Sequence, residues 1–290
     1  MTAIIEKSSS CEGFLLAKRI YFFVVFLAFL LQPACLSHLR QAKYYYVQGQ
    51  QYSRSYQEEK AAAAFKRAVE EAELEAEKNP SAQALMVKGM AELELGLWQP
   101  AEESFLRAFD YGFEQGEEWA KEVALLGTAL SFQEMGLERA AFKIYAFLTQ
   151  KSKLKQILLV ASQKYSDILL SQALHQQSKD RQKLLNQALK SVQKLADKNL
   201  SCGFFHYLLS QIYGHLTSYW ESFEEGVMAK ELGLPSEKIK RDNDLQIIFC
   251  FQQLKKTLVP EEWKKFQSTY LKWLKKWGWA DEQTPPWKRR

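Results

Sequence analysis

The chain has 290 residues, of which 47% are hydrophobic and 25% charged, and carries a formal net charge of +5. That balance excludes an intrinsically disordered chain and is too modest for one dominated by a polyanionic ligand. Basic character is concentrated at one end: residues 236–290 hold thirteen Lys and Arg against seven Asp and Glu.

The first informative stretch is Ile20 to Leu31, IYFFVVFLAFLL, uncharged and preceded by Lys18 and Arg19. A cationic start and a short apolar run have the form of a secretory signal peptide. Extension to Leu36 gives seventeen residues, short of the ~20 of a spanning helix, so cleavage is favoured over a retained signal anchor. The run closes in LLQPAC, residues 30 to 35. Its end resembles a bacterial lipoprotein processing box, in which a small residue precedes a cysteine that is lipidated. Ala34 and Cys35 fit that pattern, while Gln32 and Pro33 depart from it. The resemblance implies lipidation at Cys35. Leu36, where an inner-membrane retention signal would place aspartate, implies an outer-membrane lipoprotein facing the periplasm. An ordinary signal or a single N-terminal anchor remains the alternative.

Beyond Cys35 the pattern is helical and repetitive. Tyr45, Gly49, Tyr52, Ala61, Phe65 and Ala68 are followed forty residues on by Leu85, Gly89, Glu92, Ala101, Phe105 and Ala108. A third copy reads Leu125, Ala129, Phe132, Ala141, Tyr145 and Leu148, and Gly96 and Gly136 fall in register at turns. The small residues let two helices approach, and the ring four positions after the second small residue fills the seam on the same helix face. Each hairpin then leaves an apolar face for the next to cover.

This pattern resembles the tetratricopeptide repeat, most closely in KGMAELELGLWQPAEESFLRAF. The resemblance implies an all-α, right-handed solenoid with three repeats over residues 42–150, spaced by 40 instead of the usual 34. The long second helix EEKAAAAFKRAVEEAELEAEK, stopped by Asn79 and Pro80, explains the surplus in the first copy; DYGFEQGEEW explains it in the second. Residues 151–235 read as degenerate helical repeats: Lys153 to Leu174 with Arg181 to Ala196, then Phe204 to Thr217 with Trp220 to Leu232.

Residues 236–290 form a basic, Trp-rich helical segment holding five of the eight tryptophans. From Pro260, the residues Trp263, Phe266, Tyr270, Trp273, Leu274 and Trp277 share one face, with Lys264, Lys265, Lys272, Lys275 and Lys276 mainly off it. One reading is an amphipathic capping helix with its lysines in solvent. Another is a membrane or partner surface carried by Trp263, Lys264, Lys265, Trp273, Lys276 and Trp277.

No motif carries chemistry. There is no HExxH, no glycine-rich phosphate loop and no GxSxG turn. Cys202 and His206 are two residues, not a zinc site. Cys202 and Cys250 read as buried thiols, with a disulfide as the oxidising-compartment alternative. No catalytic residue, metal, cofactor, nucleic-acid partner or small-molecule substrate is expected.

The function implied is a non-enzymatic protein–protein interaction scaffold or adaptor at the cell envelope. By the resemblance, first helices of successive hairpins line a concave groove for a peptide or helix. Its positions here are Lys43, Tyr46, Gln50, Met86, Met90, Leu126, Leu130 and Gln133, with core packing as the competing reading for several. The alternative function is a membrane-surface or transport-system accessory subunit acting through the C-terminal helix.

Overall fold

The structure, a computed structural model, describes residues 37–176 and 178–279. The signal-like run, Cys35 and Trp287 lie outside the described residues. Among those residues the fold is all-α: twelve helices and no strand. They divide into two compact units, the first ending at Ile168 and the second beginning at Leu169.

In the first unit α1 (His38–Arg54) pairs with α2 (Glu58–Lys78), α3 (Ala82–Glu94) with α4 (Trp98–Tyr111), and α5 (Glu118–Glu134) with α6 (Glu138–Lys151). Local chemistry marks the ends. Ser37 and Ser81 cap α1 and α3 by accepting from the backbone N–H groups of Arg40 and Ala84. Glu58 and Glu59 sit in the first turn of α2, where the helix dipole favours negative charge.

The small residues do what their spacing predicts. A Cβ on Gly49 would lie 2.6 Å from the Phe65 ring, and one on Gly89 would lie 2.9 Å from the Phe105 ring. Phe105 is shared between hairpins, because a Cβ on Gly127 of α5 would meet it at 2.2 Å. Phe65, Phe105 and Tyr145 are all buried, as are Ala61, Ala101 and Ala141. α1 lies beside α3, and α3 beside α5, so the first helices of the three hairpins form one layer. α7 (Lys155–Leu174) joins through Phe142 and Tyr165, whose rings stack with centroids 4.9 Å apart.

The second unit contains α8 (Ser178–Lys198), α9 (Gly203–His215), α10 (Tyr219–Leu232), α11 (Glu237–Thr257) and α12 (Pro260–Trp277). Consecutive helices from α8 to α11 pack on one another, and α9 also touches α11. α12 packs through large rings: Phe223 of α10, Phe251 of α11 and Phe266 and Tyr270 of α12 form one buried cluster with Leu254 and Leu274. Phe251 and Tyr270 stack at 4.1 Å.

One turn recurs in both units. Tyr56, Gly96, Gly136 and Thr217 have φ of 57°, 74°, 78° and 63°, at intervals of forty, forty and eighty-one residues. After each, the backbone N–H of Gln57, Leu97, Leu137 or Ser218 donates back to the carbonyl of Tyr52, Glu92, Phe132 or Tyr213. This left-handed helix ending suits glycine and strains tyrosine and threonine. The α9–α10 hairpin therefore keeps the register of the first unit at twice its period. Among the described residues both units are all-α, built of consecutive helices packed on one another.

Candidate functional site

The layer formed by α1, α3 and α5 is a surface of the first unit to which three hairpins contribute. A polar ladder crosses it. The Lys43 ammonium donates to Gln83 Oε1 at 2.8 Å, and the Gln83 amide donates to Glu117, just before α5. Glu117 also accepts from the backbone N–H of Glu114 at 3.0 Å. Burial pulls the Lys43 pKa down to about 8, with Glu117 and Glu75 opposing the shift. Beside it Gln50 donates to the Tyr46 hydroxyl at 2.9 Å. Burial and the nearby Glu94 carboxylate push the Tyr46 phenol well above its ordinary range.

The eight expected groove positions are not equally available. Lys43, Tyr46, Gln50, Met86, Met90 and Leu126 are buried, whereas Leu130 and Gln133 are half-exposed. Gln133 accepts from the Tyr145 hydroxyl at 2.9 Å. The surface open to a partner along these positions is therefore carried by Leu130 and Gln133. Gln83 was not among the eight, although it stands forty residues after Lys43 and is its partner; the repeat register was signal enough to find it.

On α12 the apolar face is turned inward. Phe266, Tyr270 and Leu274 are buried, and Trp263, Trp273 and Trp277 pack half-buried against the same cluster. Lys264, Lys265 and Lys276 are exposed, and Lys276 pairs with Glu231 of α10. The Trp277 indole N–H donates to Glu231 at 2.9 Å. Lys230 bonds Asp244 at 2.5 Å, with its ammonium 5.1 and 5.0 Å from the rings of Trp277 and Trp279. These contacts line a cleft of about 370 Å³ between α10, α11 and the end of α12. Its charges are largely matched internally, since Lys240 also pairs with Glu237.

The residues most open to a chemical reading are packed structurally. Cys202 and Cys250 are buried and not joined in a disulfide. His206 bonds Glu225 at 2.6 Å. Burial lifts the Cys250 thiol to about 11, against its hydrogen bonds with Ser222 and Gln246, so little of it is thiolate at neutral pH. Among the described residues, no group of three or more His, Cys, Asp or Glu could hold a metal ion. No described helix is long and apolar enough to cross a membrane.

A second set of residues escapes any motif search. Ser210 and Ser222 each donate to the other's backbone carbonyl at 2.7 Å across the α9–α10 seam. From α11, Gln246 donates to Ser222 Oγ at 3.0 Å, the Cys250 thiol donates to the same oxygen at 3.0 Å, and Asn243 donates to the Gly226 carbonyl at 2.9 Å. Ser210 and Ser222 stand eighty-one residues after Ala129 and Ala141, so the register locates them but not the bonds they form.

No family model matches the chain, and no curated protein matches it. Among solved structures it is similar to the "TPR2AB-domain:pHSP90-complex of yeast Sti1", at 13% identity and a TM-score of 0.35, over 74% of this chain and 84% of that one.

Proposed function

We propose that the chain is a non-enzymatic scaffold or adaptor that binds a peptide or helix of a protein partner on the layer of α1, α3 and α5, and that its N-terminus ties it to the cell envelope. The observation that carries the reading is the side-by-side packing of three first helices, which brings equivalent positions of three hairpins onto one surface. Leu130 and Gln133 supply an apolar and an amide contact there, and the Lys43–Gln83–Glu117 ladder holds the three hairpins in register. An amphipathic segment is the partner chemistry that suits such a surface.

The envelope part rests on the sequence alone: Lys18 and Arg19, the apolar run, and Ala34–Cys35. Mass spectrometry of the mature N-terminus tests it. An acylated Cys35 is the expected result, and an intact Met1 contradicts it. The binding part is tested by co-purification from the native cell with Leu130→Arg introduced. Partners are lost while the helical spectrum and unfolding midpoint stay those of the native chain. Partners retained at native level contradict the reading.

A further inference from the structure

With the apolar side of α12 committed to the interior, the side it presents outward carries four lysines, with Glu261 and Ser268 within the same arc. Lys264, Lys265, Lys272 and Lys275 are exposed along it, and Lys255 and Lys256 at the end of α11 are exposed beside its start. At 100° per residue, the four α12 lysines fall within about 100° of arc centred opposite the buried Phe266–Tyr270–Leu274 stripe. None of the six forms an ion pair among the described residues; Lys255 lies 6.0 Å from the Trp263 ring. The acidic residues nearby are Glu261 and Glu262, in the first turn of α12 where the dipole favours them. Leu271, 49% exposed, is the one large apolar side chain projecting from this face.

We infer that this lysine face is a docking surface for an anionic lipid bilayer, which it meets by electrostatic adsorption and not by insertion of the tryptophans. The helix is the reverse of an inserting amphipathic helix, whose apolar side must be free to enter the lipid. What remains is a row of lysines about 17 Å long. Such groups need no fixed partner geometry, and each lysine near an anionic leaflet contributes about fivefold in binding. A protein partner is less well suited, because interface cores are depleted in lysine and anchored by aromatic or Arg side chains. Nucleic acid fits less well too: the rings that could stack on bases are packed inward, and arginine, which grips phosphate through two bonds, is absent from the face. The inference is independent of the binding layer in the first unit.

The test is sedimentation of the full-length chain with phosphatidylcholine vesicles and with vesicles in which one quarter of the lipid is phosphatidylglycerol. The neutral vesicles account for any uptake through the apolar N-terminal run. At about 0.1 M salt, where screening acts over about 10 Å, the native chain prefers the anionic vesicles on the order of a hundredfold. Replacing Lys264, Lys265, Lys272 and Lys275 together by Gln removes most of the preference and leaves only the part that Lys255 and Lys256 supply, whereas replacing all four by Arg preserves it. Equal binding of the native chain to both vesicles overturns the inference, as does a Gln variant that keeps the preference. Lysine-dependent retention on duplex DNA or polyglutamate without a vesicle preference also overturns it, and assigns the face to that polyanion.

Discussion

The hairpins α3–α4 and α9–α10 solve the same packing problem in opposite ways. In the first, Gly89 and Ala101 let the helices close, and Phe105 fills the seam and reaches on to Gly127. In the second, the ring position is Gly226 and the small residues are Ser210 and Ser222, which join the helices by reciprocal hydrogen bonds. Gln246, Asn243 and Cys250 of α11 then complete a buried polar network where the first unit has a hydrocarbon plug. A repeat register constrains volume and backbone approach more strongly than it constrains chemistry. The second solution has a steeper penalty for partial loss, since one missing partner strands several buried groups.

The largest effect is expected at Phe105. Phe105→Ala removes the ring from two interfaces at once and is expected to cost about 3–5 kcal/mol in urea unfolding; a loss below about 1 kcal/mol contradicts the shared-plug picture. Ser222→Ala is expected to cost about 1–3 kcal/mol, by removing one hydrogen-bond partner each from Gln246, Cys250 and the Ser210 carbonyl. A double-mutant cycle with Ser210→Ala should give a coupling of about 0.5–3 kcal/mol. Simple additivity means the two serines are packing residues only.

Lysine 43 sharpens the comparison from the other side, as a charge placed in the unit with apolar seams. Its folded pKa of about 8 lies below the unfolded value. The unfolded chain therefore holds more protons between about pH 8 and 10, and stability rises with pH in that window. Unfolding midpoints of the native chain and Lys43→Met, measured at pH 7.5 and 9.5, should converge or cross as this penalty is relieved; parallel curves contradict the burial. The range stays below pH 10 because Tyr46 and Tyr145, raised by burial, act in the opposite sense above it. The smallest effect is at the turn. Thr217→Gly removes a strained left-handed threonine and should raise stability by about 0.5–1 kcal/mol, while Gly136→Ala at the equivalent turn should lower it by a similar amount.

The first unit was legible because its signals are local: small residues, rings and turn glycines recur every forty residues. The second is harder to read because the same positions hold serine and glycine, and Thr217 replaces the turn glycine. Helix α11 lies within the basic helical segment read over residues 236–290, but its own bounds are indistinct for a similar reason. Gly233 and Pro235 read as an ending, and Glu237–Thr257 has neither the repeat's small residues nor the tryptophans that make α12 conspicuous. At the candidate site, the register placed Tyr46, Met86 and Leu126 on equivalent positions, but periodicity cannot say how deeply an equivalent position is buried. That depends on the neighbouring helices, and it leaves Leu130 and Gln133 as the open pair. For α12 the apolar and basic faces were both plain in the sequence; which one met the protein depended on Phe223 and Phe251, contributed by two other helices.

The central claim is that the layer of α1, α3 and α5 is where a protein partner binds. A photo-crosslinking residue placed at Gln133 tests it most directly, with one at Phe147 on the exposed side of α6 as the comparison. The account predicts a crosslinked partner from position 133 in the native cell and none from position 147; crosslinking from 147 alone would contradict it.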